Sequence, residues 1–152
     1  MAFYAPFANS YRRLIPGYYA PVNLSWGDDN RSTAARIPRT EKDSGRRFEF
    51  RLPGADANPH LVLAAVLAGM HWGMAEGLRP PAAAKGDASS GGKSGVPLDW
   101  RGALDALRRG KILRAGMGAD FIRHYLTVKE SEWRDCQAHV SDYDRARYRA
   151  AV

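Results

Sequence analysis

The chain has little of what marks a metal, redox or nucleic-acid protein. Among 152 residues there is one cysteine, Cys136, and there are four histidines. A single thiol excludes an internal disulfide, and its place in a helical pattern suggests a buried, inert side chain. His60 and His71 lie too far apart on one helix to share a metal and suit hydrogen-bonded core or rim positions. His124 and His139 have no carboxylate or thiolate at ligand spacing. Basic residues form no run: Lys and Arg outnumber Asp and Glu nine to six in residues 1–58 and fourteen to ten thereafter. The net charge of +7 is therefore spread along the chain and fits small anionic ligands at least as well as nucleic acid. No zinc-finger, helix-turn-helix or ribonucleoprotein signature accompanies it. Long hydrophobic runs are also missing. The most apolar stretch, residues 61–75, is broken by Gly69, His71 and Gly73 and falls short of the ~20 residues a membrane span needs. The first ten residues lack a signal peptide's charged start and apolar core. A soluble, cytoplasmic protein of one domain is expected, with neither membrane nor nucleic acid as partner.

What is present centres on residues 30–51. Residues 32–38 read as a strand ending on Pro38, and residues 47–52 alternate charge and hydrophobe. With side chains alternating at period two, Arg47, Glu49 and Arg51 share one strand face and Phe48, Phe50 and Leu52 the other. The apolar face requires a core. The charged face has two readings. The commoner is the solvated side of an amphipathic strand. The other is a cavity wall, where guanidinium forks hold phosphate or carboxylate groups and Glu49 holds a divalent cation.

Taken in order, residues 1–17 begin with aromatics and suggest a short helical turn, capped by Asn9 or Ser10 and ended by Pro16-Gly17. Only one of Arg12 and Arg13 can face a site from such a turn. Residues 18–26 read as extended chain and residues 27–30 as a turn. Asn58 followed by Pro59 starts a helix that runs to about residue 76 and is apolar nearly all round, as in helices buried inside larger proteins. Residues 79–97 read as a flexible linker. Their Gly86…Gly92-Lys93-Ser94 has the look of a phosphate loop, but Asp87 stands where the pattern requires glycine, and no strand precedes it. Trp100, Ala103, Leu104 and Leu107 predict a helix closed by Gly110, a longer helix spans residues 119 to about 138, and Ser141 starts a last one. There is no internal repeat and no nucleophile–base signature.

The stretch and its flanks resemble the C-terminal part of the catalytic domain of the glutamine synthetase superfamily. The matching residues are N-S-Y-R-R-L-I-P-G (9–17), A-P-V-N (20–23), N-R-S (30–32), R-I-P (36–38), R-R-F-E-F-R (46–51) and A-N-P-H-L (57–61) with the alanine-rich helix after it. Order and nearly all spacings agree over residues 7–78. The resemblance implies an α+β fold, a few antiparallel strands packed with helices. Residues 1–78 would be a partial catalytic domain, residues 79–97 a flexible linker loop, and residues 98–152 a C-terminal helical segment of the same domain.

The resemblance also implies roles. Arg13 and Arg51 look like the arginines that hold substrate glutamate. Arg31 resembles the arginine that contacts the nucleotide phosphates and the transferred phosphoryl group. Arg36 and Arg47 match arginines of the ATP site, and Glu49 matches a ligand of Mg2+ or Mn2+. In that family ATP phosphorylates the γ-carboxylate of L-glutamate and an amine displaces phosphate. Phosphoryl transfer of this kind depends on positioning and charge, which permanently charged, bidentate guanidinium groups supply.

Two departures from the pattern stand out. In ammonia-using members a flap glutamate occupies the position of Tyr19, and tyrosine carries no charge at neutral pH. The Y-A-P-V run resembles instead the γ-glutamylpolyamine (γ-glutamylputrescine) synthetase branch, where Tyr19 would border a larger amine and ammonia would be a poor acceptor. The family's ATP-site lysine has no clear counterpart, with Ser44 in its place and Lys42 nearby. The family's β-grasp domain and E-x-E metal ligands have no match here, and its active sites lie between subunits of homo-oligomeric rings. Three readings follow: the C-terminal part of an ATP-dependent glutamate–amine ligase, inactive alone; glutamine synthetase proper; or a non-catalytic remnant that binds a partner.

Overall fold

The computed structural model describes residues 1–89 and 94–150. It is a small α+β unit with one three-stranded sheet and five α-helices among the described residues. The sheet comprises β1 (Trp26–Asp28), β2 (Ala35–Ile37) and β3 (Glu49–Phe50), in that spatial order. β2 and β3 pair antiparallel, as expected from residues 30–51, with Ala35 opposite Phe50 and Arg36 opposite Glu49. Both strands are shorter than their sequence patterns. β1 is an addition: residues read as the end of an extended run and a turn pair parallel with β2, placing Gly27 opposite Arg36. The chain reverses between them at Asp29, whose φ of 49° lies in the left-handed region that short polar side chains tolerate.

The helices are α1 (Pro59–Ala75), α2 (Trp100–Arg109), α3 (Ile112–Met117), α4 (Ala119–Ala138) and α5 (Asp142–Tyr148). The starts of α1, α2 and α5 follow the capping rules. Asn58 accepts from the backbone of His60 at 2.9 Å, Asp99 from Gly102 at 2.7 Å, and Ser141 from Asp144 at 3.2 Å. The short α3 is an addition, in residues that the sequence pattern leaves between the helix closed by Gly110 and the one from residue 119. Gly118, at φ 92°, makes the turn into α4. Residues 8–13 form a short 3-10 helix. In it Ser10 acts at the third position, not as the cap: its Oγ accepts from Phe7 N at 3.1 Å and donates to Asp56 at 2.6 Å.

The core lies where the N-terminal segment meets α2 and α4. Trp100, Ala103, Leu104 and Leu107 of α2 are all buried, and Ile122, Leu126 and Lys129 form the inner stripe of α4. Phe3 packs against Tyr125 with centroids 4.6 Å apart and the rings tilted by 52°, and the Tyr125 hydroxyl donates to Ala2 O at 2.8 Å. Lys129 is buried by lying 4.3 Å from the Phe7 ring while its ammonium bonds Glu132 at 2.7 Å. Leu52, Val22, Ala34 and Val96 extend this core under the sheet.

Three expectations about burial fail. Cys136 is exposed on the outer side of α4, and His60 and His71 are exposed on α1. α1 itself packs chiefly on α3, and only its Ala65 is buried. Leu61, Val62 and Val66 are half-buried, while Leu63 at 58%, Leu67, Met70, Trp72 and Met74 at 73% are exposed.

Residues 79–97 contain no helix or strand among those described. They are nevertheless bonded to the sheet. Trp26 Nε1 donates to Pro81 O at 2.6 Å, Ala84 N to Trp26 O at 2.8 Å, and Gly95 N to Val22 O at 3.2 Å. Gly92 and Lys93 of the rejected phosphate-loop pattern lie outside the described residues.

Candidate functional site

Arg36 and Glu49 are direct cross-strand neighbours, so their side chains meet above the same face of the sheet. The guanidinium of Arg36 donates to Glu49 Oε2 at 2.8 Å and, on its other side, to Asp29. Glu49 Oε1 lies 3.4 Å from Arg51 Nε. The result is a continuous row, Asp29–Arg36–Glu49–Arg51, with charges alternating in sign. Its hydrogen bonds to Arg36 hold the Asp29 carboxyl below the usual carboxylate range. The same bonds, to Asp29 first and then Glu49, raise the Arg36 guanidinium further.

Arg51 connects this row to a cleft of about 350 Å³ lined by Tyr19, Arg31, Ser32, Arg51, Asp87 and Ser89, among others. Arg51 Nη2 donates to Tyr19 O at 3.3 Å and Nη1 to Thr33 O at 3.3 Å, which fixes the guanidinium against both walls. Thr33 is fully buried, its Oγ1 2.8 Å from Asn30 O and 2.9 Å from Ala35 O, one of which accepts its proton. Arg31 sits at the apex of a turn in which Asn30 Oδ1 accepts from Ser32 N at 3.0 Å and Ser32 Oγ at 2.6 Å. That turn presents Arg31 to the cleft. Its side chain makes no hydrogen bond or ion pair among the described residues.

Arg13 stands behind the same wall. It donates to Leu52 O at 2.7 Å and Arg51 O at 3.2 Å, bracing the strand that carries Arg51. Partial burial lowers its pKa, opposed by the nearby Asp56 carboxylate. Tyr19 contributes its backbone carbonyl to the cleft, and its side chain is 97% exposed. Arg47 is separate from the group: it lies outside β3, exposed, with its guanidinium donating to Gly45 O at 3.2 Å. The period-two pattern placed Arg47 beside Glu49, but the strand begins too late to impose it.

Among the described residues no group of three or more His, Cys, Asp or Glu side chains could hold a metal ion. Glu49 offers one carboxylate, half-exposed and already bonded by two arginines, so these residues fit at most one ligand of a divalent-cation site. An anion is different. Arg31 and Arg51 open on one cleft, and their donor forks suit phosphate or carboxylate oxygens. Sequence reasoning missed Asp29, Asp87 and the three side chains that bind the 86–88 backbone: Asn23, Asn30 and Ser32. A run of Asn and Ser around one arginine was the available signal, since such residues bond nearby backbone.

Residues 1–148 match the sequence model of the glutamine synthetase catalytic domain. The chain belongs to that family. It is 32% identical to the glutamine synthetase of Methanocaldococcus jannaschii over 151 residues, which cover 94% of this chain and 33% of that protein. The γ-glutamylethanolamide synthetase GlnA4 of Streptomyces coelicolor is 36% identical over 145 residues, covering 95% of this chain and 31% of the relative. A solved structure described as apo GmaS without ligand superposes with a TM-score of 0.80 at 31% identity, covering 95% of this chain and 33% of that one. The chain thus spans about a third of the length of the relatives it matches. No helix among the described residues is long and apolar enough to cross a membrane.

Proposed function

We propose that these residues form the arginine-lined wall of an active site that joins glutamate to an amine at the expense of ATP. The observation carrying this reading is the convergence of Arg31 and Arg51 on one cleft in a chain of the glutamine synthetase family. In the reaction a γ-carboxylate oxygen of glutamate attacks the terminal phosphorus of ATP and ADP leaves. The amine nitrogen then bonds the γ-carbonyl carbon, the carbon–oxygen bond to phosphate breaks, and orthophosphate and a proton depart.

Here Arg31 holds the transferred phosphoryl oxygens and Arg51 a carboxylate of glutamate. Arg13 orients Arg51 through the strand backbone. Arg36 secures Glu49 on one side and Asp29 on the other, and serves the nucleotide from that position. Arg47 reaches ATP only if the segment before β3 rearranges. Glu49 would supply one oxygen ligand to Mg2+ or Mn2+, which when bound would offset phosphate charge. With one metal carboxylate among its described residues, the isolated chain is expected to be inactive, and the ring of subunits typical of the family would be needed to complete the site.

The acceptor is proposed to be an amine larger than ammonia, since Tyr19 stands at the cleft where ammonia-using members carry a glutamate. Ammonia, as in glutamine synthetase proper, is the second reading, and the relatives of that name favour it. Isothermal titration with Mg-ATP and orthophosphate tests the anion assignment. Weak binding is expected, lost in R31A and R51A and kept in R47A. Binding indifferent to Arg31 and Arg51 would overturn the proposal and favour a non-catalytic remnant.

A further inference from the structure

Arg36 gives its two terminal nitrogens to carboxylates on opposite sides. From the central strand it donates to Asp29, just beyond the end of β1, and at 2.8 Å to Glu49 Oε2 on β3. Its Nε is buried without a partner among the described residues. The two carboxylates are held differently. Glu49 is shared with Arg51 and fixed by the pairing of β3 with β2. Asp29 is exposed, and its carboxylate is bonded by the Arg36 guanidinium and the backbone N–H of Arg39. Its own N–H donates to Ile37 O at 2.8 Å, so the turn holds the Asp29 backbone whatever its side chain does. The exposed guanidinium of Arg39 stands close enough to act on the Asp29 charge and makes no ion pair among the described residues. The Asp29 carboxylate thus fills a seat built from a guanidinium and a main-chain donor, with a second guanidinium beside it. Donors of that kind suit phosphate oxygens.

We infer that Asp29 is an internal competitor for the anion seat of Arg36, and that an oligophosphate enters this seat only by displacing its carboxylate. The inference rests on the reading of Arg36 as a residue that serves the nucleotide, and adds how that residue is reached. A carboxylate tethered beside the seat competes at the high effective concentration of an intramolecular group. It carries a single charge and is partly solvated, so a more highly charged phosphate chain can replace it where another lone carboxylate gains nothing. Asp29 is the partner that yields, because Glu49 is bonded by two guanidinium groups. Arg36 stays in place when Asp29 leaves, since its bond to Glu49 remains. The consequence is selectivity. Singly charged carboxylates are left to the cleft at Arg51, and Arg36 is kept for phosphate.

The test titrates the 152-residue chain with inorganic pyrophosphate and with acetate, followed by NMR of backbone amides and of the arginine Nε–H groups. Asp29 has φ 49°, a conformation that asparagine and glycine also accept, so D29N and D29G both keep the turn. Each should strengthen the pyrophosphate response at Arg36 and Arg39 about fivefold, the scale of a partly exposed ion pair. R36M in the D29N background should abolish that gain. D28N, which changes the net charge equally one residue away, should leave the response as in the parent. Acetate should not move Arg36 in the parent. Equal pyrophosphate affinity at Arg36 in parent, D29N and D29G, weaker binding in those variants, an equal gain in D28N, or an acetate response at Arg36 in the parent overturns the Asp29 assignment. The ligase reading then stands if pyrophosphate still shifts Arg31 and Arg51. A response at Arg36 that depends on Asp29, with none at Arg31 or Arg51, removes the ligase reading and keeps Asp29 as the competitor. No response in parent or variants removes both.

Discussion

α1 and α2 are both rich in leucine and alanine, yet they meet water in opposite ways. α2 is ten residues long and buries Trp100, Ala103, Leu104 and Leu107 on one face, with charges on the other. α1 is seventeen residues long, carries no charged side chain, and buries only Ala65. The first is finished within the described residues. The second has an apolar surface on more sides than α3 can cover. Exposed apolar patches of this kind mark surfaces that associate, so the difference separates the part of the molecule that is a closed core from the part that is a seam.

The largest test compares one substitution in both helices. Leu104 is fully buried, so L104A should cost about 2–5 kcal/mol, measured by urea denaturation. Leu63 is 58% exposed, so L63A should stay within about 0.5 kcal/mol. Equal costs would break the distinction. Next in size is the main contact of α1, with α3. A Cβ on Gly116 of α3 would stand 2.6 Å from the Ala68 Cβ, which has no flexible end to move aside. G116A should therefore push the helices apart and cost about 1–3 kcal/mol, and a neutral result would mean that the two helices are not packed in solution.

The seam makes a further claim about association. The chain should self-associate through α1, and L67E should weaken that association by about tenfold or more in sedimentation, the worth of removing one large apolar side chain from a contact. A monodisperse parent that unfolds cooperatively would count against it.

The same contrast explains what could be read in advance. α1 was legible to within a residue at its end because Asn58-Pro59 is a local signal, and α2 because its apolar period is strict. Burial was not, because an apolar helix does not state what covers it. Hence His60, His71 and Cys136 were expected inside or at a rim and stand outside. In the candidate site, the meeting of Glu49 with Arg51 followed from alternation, and the antiparallel pairing of β2 with β3 from the resemblance. The position of Arg47 did not, since β3 is only two residues long. Asp29 and Asp87 were invisible for another reason. Their neighbours across the cleft are joined through β1 and through residues 79–97, and neither tertiary contact has a period or a motif.

The smallest effect concerns the closed, polar side of the comparison, the row from Asp29 to Arg51. Arg36 bonds Asp29 and Glu49 at once and holds the Asp29 carboxyl below its ordinary value. A depressed folded-state pKa gives stability that is fully present above the unfolded value of about 3.9 and is lost as pH falls through the lower, folded one. Asp29 is 45% exposed, so solvent screens the pair and the contribution is modest. The clean readout is the titration itself. Carboxyl-detected NMR should show Asp29 protonating below the ordinary range in the parent and shifting up toward about 3.9 in R36M, while Asp144, held low by Ser141 at the start of α5, stays where it was. A joint shift of both carboxyls would mean that R36M had loosened the whole fold, and no shift at Asp29 would show that the row does not persist in water.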